Sequence, residues 1–199
     1  MKKEELRKLY LEKRSSLPVA AASTASGQIA ERFFENIVLD HVNELHTFIR
    51  IARFNEIDTS VLFYRLWRDR SQIRTSAPRA DLLSGEIESV AFDAATELAE
   101  NCWRIREPVG GIIIAAQDLD IVLVPLLCFD KSGHRVGYGR GMYDQLLAQC
   151  RPDCLKVGLS YFPPVEVIDG VHQSDVKLDI SVTPSAVYRF DGNNAGETP

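Results

Sequence analysis

Between Leu119 and Leu127 the chain reads LDIVLVPLL, an apolar run broken only by Asp120 and Pro125. A strand that is apolar on both faces has to be covered on both faces, which is the situation of an interior strand in a sheet with helices above and below it. Pro125 cannot donate a ladder hydrogen bond, so the strand is expected to end or bulge there. A helical pattern from Met142 to Cys150 and a second apolar strand, Leu155 to Leu159, follow. This β-loop-α-β order places the chain in the α/β class, as a single three-layer α/β/α domain with a mostly parallel central sheet.

The other segments fit that class. Residues 2 to 14 form an amphipathic basic helix with Leu6, Leu9 and Tyr10 on one side and Lys3, Arg7 and Arg14 elsewhere, interrupted by Pro18. A second helix runs from Val19 to Leu39, with Ile29, Phe33, Phe34 and Ile37 at helical spacing and Gly27 as its weak point. A strand is expected at Leu45 to Ile51, then a polar turn through Asn55 and Glu56. Asp58 or Thr59 is the N-cap of a helix that turns Val61, Leu62, Leu66 and Trp67 inward. Short strands are expected at Ile73 to Ser76, ending at Pro78, at Ile87 to Phe92 and at Trp103 to Ile105. Residues 1 to 189 make up the domain, and 190 to 199, ending in DGNNAGETP, read as a disordered tail.

With 199 residues and 45% hydrophobic content the chain has material for one sizeable core. Its net charge of -5 gives no global attraction to polyanions, so neither nucleic acid nor a membrane surface is the expected partner, and any phosphate binding has to be local. The charged start, MKKEELRKLYLEKR, lacks a secretion-signal core, and no apolar run is long enough to span a bilayer, which predicts a cytoplasmic protein. Among Cys102, Cys128, Cys150 and Cys154 only the last two are close, at a spacing that puts both on one helix face if the helix runs that far. None of the four histidines is grouped with them, so reduced thiols are expected in place of a zinc site.

The chemistry concentrates after the buried strand, in FDKSGHRVGYGRGMYD. Glycines at 137, 139 and 141 permit positive φ and close backbone approach, so successive N–H groups can form an anion-binding nest. The following helix points its positive N-terminal end at the same spot, and Arg135 and Arg140 add full charges. The spacing matches neither a Walker loop nor a dinucleotide fingerprint. A flexible connection with solvated arginines is the other reading of the same residues, but the position after a sheet strand's carboxyl end favours a phosphate site.

The string DLDIVLVPLLCFDKSGHRVGYGRGMYDQLL closely resembles the signature of the 5-formyltetrahydrofolate cyclo-ligases, also called 5,10-methenyltetrahydrofolate synthetases. The resemblance extends to Lys3 and Arg7, to Glu-Ile-Asp-Thr at residues 56 to 59, to Trp103, to Glu107-Pro108 and to Asp175 and Asp179. It implies ATP- and Mg²⁺-dependent cyclisation of 5-formyltetrahydrofolate to 5,10-methenyltetrahydrofolate, with release of ADP and phosphate. Lys3, Arg7, Arg135, Val136, Gly137, Tyr138, Gly139, Arg140, Gly141, Met142 and Tyr143 would hold ATP. Arg135, Arg140 and Tyr143 would act in catalysis, and Ile51, Glu56, Trp103 and Tyr143 would contact the folate. Asp144 and Asp179 would bind Mg²⁺.

Met142 departs from the family pattern, in which an aromatic ring stands, and Arg140 replaces a common lysine with a planar fork. Two other functions stay open on the residues: a kinase or ligase acting on another small acid, and a non-catalytic nucleotide- or folate-binding regulator. Oligomeric state is not specified by the sequence; a monomer is the working expectation.

Overall fold

The computed structural model describes residues 1–81, 85–190 and 197–198. In chain order its elements are α1 (Lys3–Ser15), α2 (Val19–Asn36), β1 (Glu44–His46), α3 (Ser60–Asp69), β2 (Arg74–Ala80), β3 (Ile87–Ala91), β4 (Leu98–Glu100), β5 (Arg106–Pro108) and β6 (Ile113–Ile114). They continue with β7 (Ile121–Pro125), β8 (Cys128–Phe129), β9 (Arg135–Val136), α4 (Met142–Gln149), β10 (Leu155–Leu159), β11 (Ile180–Val182), β12 (Val187–Arg189) and β13 (Glu197–Thr198).

Nine strands form one sheet in the order β13-β12-β11-β10-β7-β1-β2-β3-β6. The middle five, β11 to β2 in that order, are parallel, and the pairs outside them are antiparallel. The run that opened the sequence is β7, at the centre of the sheet, and its residues 121 to 124 are all buried. Its side chains alternate between two cores, as the period of a strand requires. Ile121 and Leu123 join Phe33 of α2 and Leu62 and Leu66 of α3 on one face. Val122 and Val124 join Leu146 and Leu147 of α4 on the other. No helix among the described residues is long and apolar enough to cross a membrane.

Several boundaries moved, each for an identifiable reason. β1 stops at His46, because the chain then bends through a 3-10 turn at Ala52–Phe54 in place of running on to Ile51. β2 does not stop at Pro78 but continues to Ala80, paired with β3. β1 leaves β2 after the His46–Ser76 pair and the Thr47 N–H to Ser76 carbonyl bond, so the side of β2 where Pro78 lacks a donor has no partner strand to satisfy. Leu62 and Leu66 face inward as expected, joined by Phe63, and Trp67 packs half-buried against Phe63 and Phe92, but Val61 points to solvent. Trp103 to Ile105 is the turn joining β4 to β5, closed by the Asn101 N–H to Ile105 carbonyl bond, with Arg104 at φ 56°. β11 and β12 were not anticipated. The second helix ends at Asn36, before Leu39, and passes through Gly27 without interruption. Because α4 ends at Gln149, Cys150 and Cys154 do not share a helix face. Of the segment expected to be a tail, Phe190 packs against Phe129 and Glu197–Thr198 pair with β12, while 191–196 and 199 lie outside the described residues.

Between β7 and the glycine loop stands a hairpin, β8 and β9, that the sequence did not suggest. Asp130 builds its turn: one carboxylate oxygen accepts the N–H groups of Ser132 and His134 at 2.9 and 3.0 Å, and the other accepts that of Ile168 at 3.1 Å. Gly133, at φ +82°, lets the turn approach the Leu178 carbonyl so closely that a Cβ would stand 2.9 Å from it. The hairpin carries the glycine loop away from the sheet and under α1, whose Leu6 and Tyr10 pack with Leu127, Cys128 and Val136.

Candidate active site

The carboxyl ends of the parallel strands open into a cleft of about 620 Å³, well inside the range that holds small-molecule substrates. β7 contributes Pro125 to it, the bend after β1 contributes residues between Phe48 and Glu56, β2 contributes Pro78 and Ala80, and α1 contributes Lys3 and Arg7. The glycine loop and the start of α4 supply the wall from Arg135 to Asp144. Of the residues the resemblance assigns to ATP, the folate or Mg²⁺, all but Asp179 line this cleft.

The loop is held in a defined shape. Gly139 at φ +92° and Gly141 at φ +69° adopt the left-handed conformation expected of them, and Gly141 is the N-cap of α4. Gly137 does not; its contribution is a carbonyl that accepts the Arg7 Nε–H at 3.0 Å. Arg7 lies so close over Gly139 that a Cβ there would stand 3.1 Å from the guanidinium carbon. Arg140 lies over the Trp103 ring, 4.3 Å from its centroid, and so connects the loop to the β4–β5 turn across the cleft. Val136 fits the phosphate role poorly, since its side chain is buried beneath α1 with Leu6 and Tyr10.

Two of the cleft's cations are paired with carboxylates. Lys3 bonds Asp175, and Arg135 bonds Asp144 at 2.7 Å while donating also to the Val176 carbonyl. Arg7, Arg53 and Arg140 have no carboxylate partner among the described residues. Among the described residues the cleft lining holds five basic and four acidic side chains, and the unpaired positive charge sits on these three arginines in a chain of net charge -5.

The opposite side is arranged around Glu56, which is only 3% exposed. Its Oε2 accepts the Ile51 N–H at 2.7 Å, and its Oε1 accepts the Tyr138 hydroxyl, which in turn accepts from the buried Arg14 guanidinium. Burial pushes the Glu56 carboxyl up, against the hydrogen bonds of Tyr138 and Ile51 and the charges of Arg14 and Arg50 that lower it. Tyr138 therefore serves the Glu56 side of the cleft through its side chain, although it is part of the glycine loop in sequence. Its ring also stacks on Phe54 at 5.2 Å. Phe48, Ile49, Ile51, Pro78, Ile87, Trp103, Met142 and Tyr143 complete a largely apolar wall.

Asp179 is a correction. It lies just before β11, at the amino end of the parallel strands, whereas the cleft is at their carboxyl end. Its carboxylate accepts the Lys156 N–H at 2.8 Å and the Lys156 ammonium at 3.2 Å. Asp175 is the acidic residue of that segment that lines the cleft. Burial alone would raise its carboxyl, but bonds from Lys3 and the His172 N–H, with the charges of Lys3 and Arg135, hold it below the usual range. The bonded oxygens are Oδ1 of Asp144, from Arg135 and the Val176 N–H, and Oδ2 of Asp175. The other oxygen of each has no protein donor among the described residues, which suits a hard cation that takes one or two carboxylate oxygens and keeps most of its waters. No group of three or more metal-binding side chains occurs among the described residues.

Arg14, Arg53, Phe54 and His46 were missed by sequence reasoning. Arg14 sits about two turns beyond Arg7 on α1, and its burial, at 4% exposure, with its bond to Tyr138 gives its role.

Comparisons with known proteins identify the family. The profile described as the 5-formyltetrahydrofolate cyclo-ligase family matches residues 1–184. The 5-formyltetrahydrofolate cyclo-ligase of Escherichia coli (strain K12) is 28% identical over 149 residues, spanning 73% of this chain and 81% of that one. The mitochondrial 5-formyltetrahydrofolate cyclo-ligase of Arabidopsis thaliana is 27% identical over 166 residues, spanning 72% of this chain and 60% of that one. The solved structure of Aquifex aeolicus 5,10-methenyltetrahydrofolate synthetase superposes with a TM-score of 0.82 at 28% identity, over 100% of this chain and 97% of that one. The 5,10-methenyltetrahydrofolate synthetase of Mycoplasma pneumoniae shares the fold, with a TM-score of 0.74 at 24% identity over 92% of this chain and 99% of that one. The family profile covers residues 1–184, and the chain belongs to the 5-formyltetrahydrofolate cyclo-ligase family.

Proposed function

We propose that this cleft cyclises 5-formyltetrahydrofolate to 5,10-methenyltetrahydrofolate, with ATP as co-substrate and ADP and phosphate as products. The observation that carries the proposal is the union, in one cleft, of a glycine loop flanked by Arg7 and Arg140 with an apolar wall containing a buried carboxylate, Glu56. The formamide oxygen is a poor leaving group. Transfer of the γ-phosphoryl group, with ADP leaving, makes it a good one; N10 then attacks the formyl carbon, and phosphate departs with that oxygen and takes up the N10 proton.

The side chains bind, orient and neutralise charge, and none has to act as a nucleophile. Arg7, Arg140 and the free N–H groups of the loop would receive the phosphates, with Arg135 and Lys3 fixing the carboxylates beside them. Glu56, held by Tyr138 and Ile51, would accept the pterin N–H groups at the inner end of the cleft. Ile51, Trp103, Met142 and Tyr143 would enclose the rings. Asp144 and Asp175 would hold Mg²⁺, which when bound supplies charge neutralisation on the phosphates.

Purified protein given ATP, Mg²⁺ and 5-formyltetrahydrofolate should show the ATP-dependent absorbance rise of the methenyl product. Binding of both substrates without that rise would favour the non-catalytic regulator, and turnover of a different small acid would favour another ligase or kinase.

A further inference from the structure

Beneath Tyr143 lies a polar chain that the site as described does not use. His46 ends β1 and is 0% exposed; Ser76 on β2 is 0% and Ser89 on β3 is 2% exposed. Ser76 Oγ is 2.7 Å from Ser89 Oγ, Ser89 Oγ is 2.6 Å from His46 Nδ1, and Ser76 Oγ is 3.4 Å from the same nitrogen. On the other side of the ring His46 Nε2 is 3.4 Å from the Tyr143 hydroxyl, and the two rings meet edge to face at 5.9 Å. Three adjacent strands thus contribute one polar group each, directly under a side chain that lines the cleft.

Counting donors fixes the direction of this chain. A neutral imidazole has one N–H and one bare nitrogen. Burial lowers the His46 pKa to about 3, so the ring is neutral at working pH. The two serine hydroxyls have two protons to place, and among the described residues their acceptors are each other and Nδ1. Two hydroxyls cannot donate to one another simultaneously. If Nδ1 carried the proton, one serine hydroxyl would be left in the core without an acceptor, at a cost of about 1–3 kcal/mol. The arrangement with every proton used has Nδ1 bare and Nε2 protonated. Nε2–H then donates to the Tyr143 oxygen, and the Tyr143 proton is free to point into the cleft.

We propose that His46 is a positioning residue: with Ser76 and Ser89 fixing its tautomer, it holds the Tyr143 hydroxyl as a hydrogen-bond donor aimed at a substrate oxygen. The oxygen class is an electron-rich carbonyl or phosphoryl oxygen, and on the cyclo-ligase proposal, on which this last step rests, it is the formyl oxygen as it gains its phosphate. Tyr143 touches the substrate; His46 acts only through it.

The tautomer is tested without turnover. In protein labelled with ¹⁵N-histidine, the His46 spectrum should show a bare Nδ1 and a protonated Nε2, unchanged between about pH 5 and pH 8; a protonated Nδ1, or titration in that interval, overturns the network. The positioning role is tested by a double-mutant cycle read in kcat/KM and in melting temperature. His46→Leu should lower kcat/KM about three- to tenfold when Tyr143 is present and leave it within about twofold in the Tyr143→Phe background, with the melting temperatures showing that all four proteins are folded. Equal activity losses in the two backgrounds would contradict the proposal. Should His46→Leu not fold, His46→Gln, which keeps an amide donor near the Nε2 position, serves as the second variant; it should retain activity above that of Tyr143→Phe, and a loss as deep would equally count against it. A wild-type protein without cyclo-ligase activity would refute the function proposed above and leave the tautomer result standing.

Discussion

Single residues in this cleft are set by their neighbours more than by their type. Gly139 is needed twice, for its φ of +92° and for the room it leaves Arg7. A Cβ there has to push the Arg7 guanidinium away, so Gly139→Ala should raise KM for ATP several-fold and cost about 1 kcal/mol of stability from left-handed strain. An unchanged KM with a folded protein would remove Arg7 from phosphate binding. His46 makes a pH prediction whose sign follows from burial. Its pKa is about 3 in the fold against 6.5 for the free ring, so between these values the unfolded chain binds the extra proton. The stability that His46 confers is therefore complete above about pH 6.5 and is lost as pH falls toward 3, with a slope of up to about 1.4 kcal/mol per pH unit. In His46→Gln that part of the acid destabilisation should vanish, as urea midpoints measured over this range would show. Parallel midpoint curves for the two proteins would mean that the ring is not held neutral.

At the scale of elements, the parts with a strong local pattern were legible in the sequence and the parts defined by tertiary contact were not. β7 announced itself because a two-sided strand leaves a continuous apolar run, and α1 to α4 by their spacing. The β8–β9 hairpin is two residues a side and has no period to detect; the buried carboxylate of Asp130, bonded to three backbone N–H groups, defines it. The β4–β5 hairpin is similar, tied to β2 by Glu107, which accepts the Ala80 N–H at 2.9 Å. Likewise, no sequence pattern distinguishes Asp175 from Asp179, four residues on, yet the first lines the cleft and the second sits at the amino end of β11. Exchange of each for asparagine separates their roles. Asp175→Asn should raise the Mg²⁺ needed for half-maximal turnover and release Lys3, and it should also lower the melting temperature, because its carboxylate receives donors from Lys3 and the His172 N–H. Asp179→Asn should leave the Mg²⁺ requirement alone and lower the melting temperature, because the amide replaces a carboxylate that receives two donors from Lys156. The reverse pattern would restore Asp179 to the site.

The whole molecule brings together segments from almost the full length of the chain. α1 supplies Lys3 and Arg7, the bend after β1 supplies Glu56, the β4–β5 turn supplies Trp103, and the loop before α4 supplies Arg140 and the glycines. Asp175 closes the cleft from the segment before β11, paired with Lys3 some 170 residues earlier in the chain. A parallel sheet makes this possible, since the carboxyl ends of its strands meet along one edge whatever their order in sequence. The central claim is that this edge transfers the γ-phosphoryl group of ATP to the formyl oxygen and expels that oxygen as phosphate. The most direct measurement uses 5-formyltetrahydrofolate labelled with ¹⁸O in the formyl group, with mass analysis of the phosphate released during turnover. One ¹⁸O in phosphate for each methenyl product formed is the predicted result; methenyl product whose phosphate carries no label would contradict the account.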